Sequence, residues 1–421
     1  MKISTLCSAI GISLVLLTAT ISRAAGDPSS FVHPGGWHTA ADIKRVRDQL
    51  AANAEPWVSA RVKLMSGGPN FDYQPRAVAT VTRGGGGVDQ GGNSALKGEA
   101  SDAYTLMIKW VATNDPRYGD AAIRIIDAWS NVLTEIKGSD ARLAAGIYGN
   151  KFAQAAELAA YYKPDWPNKA RAQKMFLSVF YPVIKNGASA NWGTACMTGI
   201  MSMAVFCDNR NMYEQAVDAF KNGFPNADGM AGVTQYIDDS GECAETGRDQ
   251  PHPQGGMAHL METAVTAWNQ GENLLPCGNN RLLAGLEYIA KYNLGNDVPY
   301  HPFVTANGKI IYPNGVSSKG RGHFSPIYEM AYTYFVLAGT DAPYCKQVRE
   351  SNGYAPETTN DDHPGLGTLM FTQVPGAPKV TPPPTSPFTN AVTTPATHSA
   401  SQPAPPDTNA VTMPATNSAP Q

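Results

Sequence analysis

The residues Gly247–Gln254 read Gly-Arg-Asp-Gln-Pro-His-Pro-Gln and stand just before a long stretch of helical apolar periodicity. They bring together a permanent cation (Arg248), a titratable imidazole (His252) and two amides (Gln250 and Gln254). Guanidinium and imidazole groups beside neutral hydrogen-bond donors suit an anionic ligand. Two other places carry matching chemistry: Asn191-Trp192 upstream and Tyr300 downstream. Prolines at 251 and 253 imply an extended or turn segment, so Arg248 and His252 need not share a face. The bland alternative is a surface loop with an Arg–Asp pair through Asp249. Loops carry function more often than other segments, which favours a site.

Such a cluster needs a scaffold. The chain has 421 residues, 43% hydrophobic and 16% charged, enough apolar content for a large core. A formal net charge of −3 provides no overall attraction to a polyanion and speaks against nucleic acid as a partner, so anion binding has to be local. At the N-terminus Lys2 precedes an apolar run from Leu6 to about Ile21 and then Ser22-Arg23-Ala24. This predicts a cleaved export signal over 1–24 and a secreted, extracellular or periplasmic protein, with no membrane partner. Beyond Cys7 five cysteines remain, an odd number, so at least one thiol is expected to be unpaired. Cys-x-x-Cys, His-x-His and His-Glu-x-x-His motifs are absent; no metal cage is signalled, no cofactor is expected, and a monomer is the simplest assembly.

From Ala40 to about Gly339 the pattern is helix after helix. Ala122, Ile125, Ile126, Trp129, Val132 and Leu133 recur at three- and four-residue spacing, the signature of one buried helix face. Similar patterns occupy about 40–66, 100–114, 143–163, 168–185, 193–208, 210–221, 256–272, 280–293 and 326–339. Asn114-Asp115-Pro116, Lys163-Pro164-Asp165, Asn186-Gly187 and Asn226-Ala227-Asp228-Gly229 stop them through caps, fixed φ or positive φ. The expectation is an all-α fold of helical hairpins over 25–375, closed by fold analogy into an α/α barrel or toroid.

Two segments break the rhythm. Thr82–Gly92 holds Arg83, four consecutive glycines, Asp89 and two more glycines. Each glycine costs a helix about 1 kcal/mol relative to alanine, so a mobile loop or lid is expected. Pro299–Phe324, with β-branched and aromatic residues and Gly turns at Asn307-Gly308 and Asn314-Gly315, predicts a short β-hairpin. From 376 to 421 the composition turns to Pro, Thr, Ser and Ala. Thr389–Ala400 is nearly repeated at Thr408–Ala419, too polar to fold, so a disordered tail is expected.

Several of these features occur in an order that resembles the alginate-lyase superfamily of helical polysaccharide lyases. They are the Gly-rich loop, Lys109-Trp110 followed by Asp115-Pro116-Arg117-Tyr118, Ala128-Trp129-Ser130, Gly149-Asn150-Lys151-Phe152, Asn191-Trp192 and Gly247–His252. The group of glucuronan and alginate lyases is the nearest within it, over about 30–340. The resemblance implies a secreted enzyme that cleaves a 1,4-linked polyuronate by β-elimination, leaving 4,5-unsaturated uronate ends. That chemistry removes the weakly acidic C5 proton, protonates the leaving O4 and holds the carboxylate so that an enolate can form.

Roles follow by resemblance. Asn191 neutralises the substrate carboxylate, with Trp192 free to stack on a sugar face; the alternative is a helix N-cap beside a core Trp. Arg248 forks onto the carboxylate, while His252 donates to it or takes the C5 proton. Tyr300 is the acid, and the base too in a syn elimination, with Tyr292 its rival. Gln250, Gln254, Arg83, Arg321 and His323 are substrate-binding candidates; Arg321 and His323 read equally well as a solvated basic turn, and Glu245 and Gln254 as groups that position Arg248 and His252. The best-known pattern of the family has Asn-His where this chain has Asn191-Trp192, and a Tyr where it has Gly255, which is why His252 and Tyr300 are promoted. The rival enzyme is a glycoside hydrolase on an α/α barrel, using two of Asp238, Asp239, Glu242 and Glu245. A non-catalytic polysaccharide-binding protein is the third reading.

Overall fold

The computed structural model describes residues 30–225, 230–305, 308–351, 357, 362–363, 365–374 and 376. The expected export signal at 1–24, the turn at 226–229, Asn307 and the tail from 377 onward lie outside the described residues.

Helices α1 (Ala40–Ala51) and α2 (Trp57–Met65) divide the pattern read as one over 40–66. The break falls before Pro56, where the proline ring disfavours helical geometry in its predecessor. Next come α3 (Asn93–Thr113), α4 (Pro116–Val132), α5 (141–162), α6 (169–184), α7 (Ala190–Phe206) and α8 (Arg210–Asn222). They are followed by α9 (Pro251–Asn269), α10 (Cys277–Asn293), α11 (328–336) and α12 (Pro343–Ser351). In α4, Asp115 caps the first turn and Pro116 occupies the position where a missing N–H costs nothing. Its buried face carries Ala122, Ile125, Ile126 and Trp129, as the spacing predicts.

The helices form two layers. α3, α5, α7 and α9 pack side by side in that order and are buried nearly all round; α7 has no exposed residue from Gly193 to Phe206. Helices without a polar face belong inside. The amphipathic α4 and α8 lie outside, each against the inner helix before it, and α10 packs on α9. The chain is an α/α toroid of helical hairpins. Since each outer helix returns the chain antiparallel, the inner helices run the same way and α5, α7 and α9 begin at one end.

Two small sheets decorate this body: β1 (Thr80–Thr82) parallel to β2 (Glu135–Lys137), and β3 (Phe303–Val304) antiparallel to β4 (Ile310–Ile311), the expected hairpin. The Gly-rich loop is not the loose lid expected of it. The Ser94 side chain and then the backbone N–H groups of Ser94, Gly91 and Asn93 donate to Asp89, which holds its carboxyl down at about 2 and starts α3 seven residues early. Gly87 N–H donates to Asp140, and Gly84 N–H to the Val88 carbonyl. Glycine here allows the turn, and a carboxylate then pins it.

The five described cysteines are all free thiols; burial pushes Cys196 and Cys243 up to about 12. Among the described residues no helix is long and apolar enough to cross a membrane.

Candidate active site

The shared end of α5, α7 and α9 carries a cleft of about 500 Å³. Arg142 comes from the first turn of α5, the 186–192 segment from the entry to α7, and Glu245 and Arg248 from the approach to α9. Ile311 and Tyr312 close it from the β3–β4 hairpin, and Met230 completes the wall. Helix N-termini present unpaired N–H groups and a partial positive charge, so this end of the toroid favours an anion before any side chain is counted.

The backbone around the cleft is held in unusual conformations. Gly187 has φ 65°, and a Cβ there would overlap the Phe224 ring. Ala190 (φ 52°) and Tyr312 (φ 51°) adopt the left-handed region without being glycine, at a cost of roughly 1–2 kcal/mol each. Strain of this kind persists only where the surroundings impose it, and it concentrates at functional sites.

Glu245 organises the wall. Its buried carboxylate accepts Arg248 Nη1–H at 2.9 Å, the Tyr236 hydroxyl at 3.0 Å and the Asn191 backbone N–H at 3.1 Å. One anion thus ties the entry of α7 to the approach of α9. Arg248 stays 37% exposed on the cleft side, with the rest of its fork available. Asn191 is not the N-cap of α7; that position is Ser189. Its side-chain Oδ1 is buried without a hydrogen-bond partner among the described residues. Trp192 beside it is half-buried and lines the same cleft.

The structure supplies a phenol that sequence reasoning missed. Tyr300 gives its O–H to the Tyr312 backbone carbonyl and is not among the lining residues. Tyr312 is the tyrosine that faces the cleft. Burial raises it above the ordinary tyrosine range; Arg248 pulls it back, while Glu245 and Asp249 push it up. Its phenol therefore stays protonated at neutral pH, a donor beside a guanidinium. Gly247 makes this possible, because a Cβ there would run into the Tyr300 hydroxyl and sit 2.5 Å from Tyr312 Cβ. Tyr312 carried no signal of its own, since nothing in its spacing separates it from other aromatics of the hairpin.

The other candidates scatter. His252 lies in the first turn of α9, not in an extended segment, because prolines are tolerated where helical N–H groups lack partners anyway. Asp249 accepts both its backbone N–H (3.0 Å) and its Nδ1–H (2.7 Å), leaving Nε2 without a partner among the described residues, and the imidazole is outside the cleft lining. Gln250 and Gln254 are corrected from ligand contacts to braces. Both are buried: Gln250 bonds Ser317 and Asn293, and Gln254 bonds His323 and Ser325. Arg321 likewise spends its guanidinium on the Tyr292 and Asn296 carbonyls at the end of α10, lying 4.0 Å over the Tyr292 ring. His323 is exposed, outside the cleft lining. Arg83 sits over the Tyr148 ring at 5.5 Å, its Nε and Nη1 buried without hydrogen-bond partners among the described residues, again outside the lining.

Asp238, Glu242 and His301 place one ligand-type atom each within 4.8 Å of one another, the group among the described residues that could hold a cation. Asp238 Oδ1 already accepts two donors from Ser240 and one from Glu242, and Glu242 accepts the His301 N–H. Burial pushes Glu242 up to about 7. These contacts stitch the 238–243 turn to the hairpin behind Tyr300.

The comparisons agree with this architecture. The alginate lyase family model matches residues 74–298. No curated protein sequence matches the chain. Among solved structures, an alginate lyase A1-III variant complexed with a tetrasaccharide is similar at 15% identity and TM-score 0.56, over 83% of this chain and 97% of the other. An alginate lyase from Bacteroides ovatus is similar at 11% identity and TM-score 0.55, over 82% and 100%. Alginate lyase A1-III from Sphingomonas species A1 is similar at 14% identity and TM-score 0.54, over 83% and 97%.

Proposed function

We propose, from the premise that this chain belongs to the alginate lyase family and is a polysaccharide lyase, that it is exported and cleaves a 1,4-linked polyuronate. Glucuronan and mannuronate-rich alginate are the proposed substrates. The observation that carries this reading is the convergence of Arg248, Asn191 and Tyr312 on one cleft.

β-Elimination breaks C5–H and C4–O4 and forms a C4=C5 double bond. Arg248 and the Asn191 amide hold the C5 carboxylate and take up the charge that develops on it as the proton leaves, an effect worth about 3–4 kcal/mol per preorganised donor. Tyr312, kept protonated by burial, delivers its proton to the departing O4. His252, oriented through Nδ1 by Asp249 and with Nε2 unpartnered among the described residues, is the group proposed to take the C5 proton from a polymer that reaches past the Tyr312 wall. Trp192 offers a flat apolar face to a sugar ring. Tyr300 orients Tyr312 rather than reacting.

A hydrolase would need two carboxylates facing the substrate. Glu245 is the one carboxylate among the described lining residues, and three donors already occupy it. Tyr312→Phe is expected to lower kcat by at least about 10²-fold in an assay of the ultraviolet absorbance of unsaturated uronate ends. Tyr300→Phe should stay within about tenfold of wild type, as expected for the loss of one orienting hydrogen bond. Wild-type turnover by Tyr312→Phe would overturn the assignment.

A further inference from the structure

Two guanidinium groups line the cleft, and their electrostatic situations differ. Arg248 is matched by the buried Glu245 at 2.9 Å, so this pair adds direction to the wall but little net charge. Arg142 is exposed at the start of α5 and forms no ion pair or hydrogen bond among the described residues. It is also the only other cation among the described lining residues. A positive charge held at a helix N-terminus, where the helix dipole itself disfavours a cation, contributes nothing to folding by these contacts. Its worth lies in what enters the cleft.

We infer that Arg142 binds the carboxylate of the sugar adjoining the one at which elimination occurs, so that the enzyme requires carboxylates on consecutive rings. This rests on the proposed lyase reading and deepens it. One carboxylate is consumed by Arg248 and Asn191 at the reacting sugar. A polymer in which uronates alternate with uncharged hexosamines places a neutral ring at the neighbouring position and leaves Arg142 without a partner. A homopolyuronate supplies one.

The test compares wild type, Arg142→Gln and Arg142→Lys on glucuronan, polymannuronate and hyaluronan, with polymer binding also measured in the Tyr312→Phe background. Arg142→Gln should raise KM on the cleaved homopolyuronate roughly tenfold while kcat changes far less, and weaken binding in Tyr312→Phe to the same degree. Arg142→Lys should recover part of the loss, and binding to hyaluronan should respond little. Unchanged KM and binding in Arg142→Gln, or equal losses on hyaluronan, would overturn the inference. If wild type cleaves none of the polymers yet binds a homopolyuronate through Arg142, the elimination reading falls and with it the assignment to the adjoining ring, leaving only a carboxylate contact at Arg142.

Discussion

Glu245 shows how much a single residue can decide here. It makes no chemistry of its own, yet its carboxylate is the common partner of Arg248, Tyr236 and the Asn191 backbone. Replacing it by Gln puts an amide N–H where an N–H or O–H donor now points. Removing a charged partner from buried donors costs about 1–3 kcal/mol. Glu245→Gln is therefore expected to lower the urea midpoint measurably and to reduce kcat/KM by more than that stability loss explains, because Arg248 loses its direction. Equal kcat/KM in the folded variant would show that Arg248 needs no such support. At neutral pH the Tyr312 phenol is the protonated form that acid catalysis requires. Its raised position predicts no loss of activity attributable to Tyr312 until pH passes the ordinary tyrosine range, readable from the alkaline limb of kcat.

Among the elements, the β3–β4 hairpin leaves Val304 and Ile310 exposed, and its placement depends on one glycine. Gly247 lies under the Tyr300 hydroxyl and Tyr312 Cβ, so any side chain displaces the hairpin outward. Gly247→Ala should cost about 1–3 kcal/mol from overpacking and, more tellingly, depress kcat more than Tyr300→Phe does, because the whole phenol moves. Stopped-flow or steady-state kinetics alongside a melting curve would separate the two; a variant with full kcat would mean that the hairpin position is not set here. Asp89 plays the equivalent part for the Gly-rich loop. It converts a segment of low helical propensity into a pinned turn by satisfying three N–H groups at once.

Across the helical body the two ends differ in character. The end carrying the cleft collects helix N-termini, while the opposite end is strapped by His33, whose ring nitrogens meet Glu157 near the end of α5 (2.7 Å) and Asp208 just beyond α7 (2.8 Å). The Glu157 hydrogen bond, opposed by burial and aided by Asp208, raises His33 to about 9. A histidine raised on folding stabilises fully below its unfolded value near 6.5 and loses that contribution as pH rises through about 9. The Tm difference between wild type and His33→Gln should accordingly be largest at pH 6 and vanish by pH 10. A difference that persists at pH 10 would mean that the strap acts through shape and not charge. Because the strap is remote from the cleft, kcat of His33→Gln at pH 7 should match wild type.

Helical content, the buried face of α4, the hairpin near 300–312 and the chemical character of the Gly247–Gln254 segment were legible from residue order, since each depends on neighbours within a turn or two. That Arg248, Asn191 and Trp192 line one cleft was legible for the same reason: their types and their places beside helix starts mark a rim. Tyr312 and Arg142 were not, because a tyrosine in a short hairpin and an arginine before a helix look like any others until folding carries them across 64 and 106 positions to Arg248. The same folding turned Gln250, Gln254 and Arg321 from candidate ligand contacts into braces, since an amide or guanidinium bonds whichever carbonyl the chain brings near. Local order is written in short-range propensity and periodicity; which side chains share one cavity depends on how whole hairpins close, and only the packed toroid sets that.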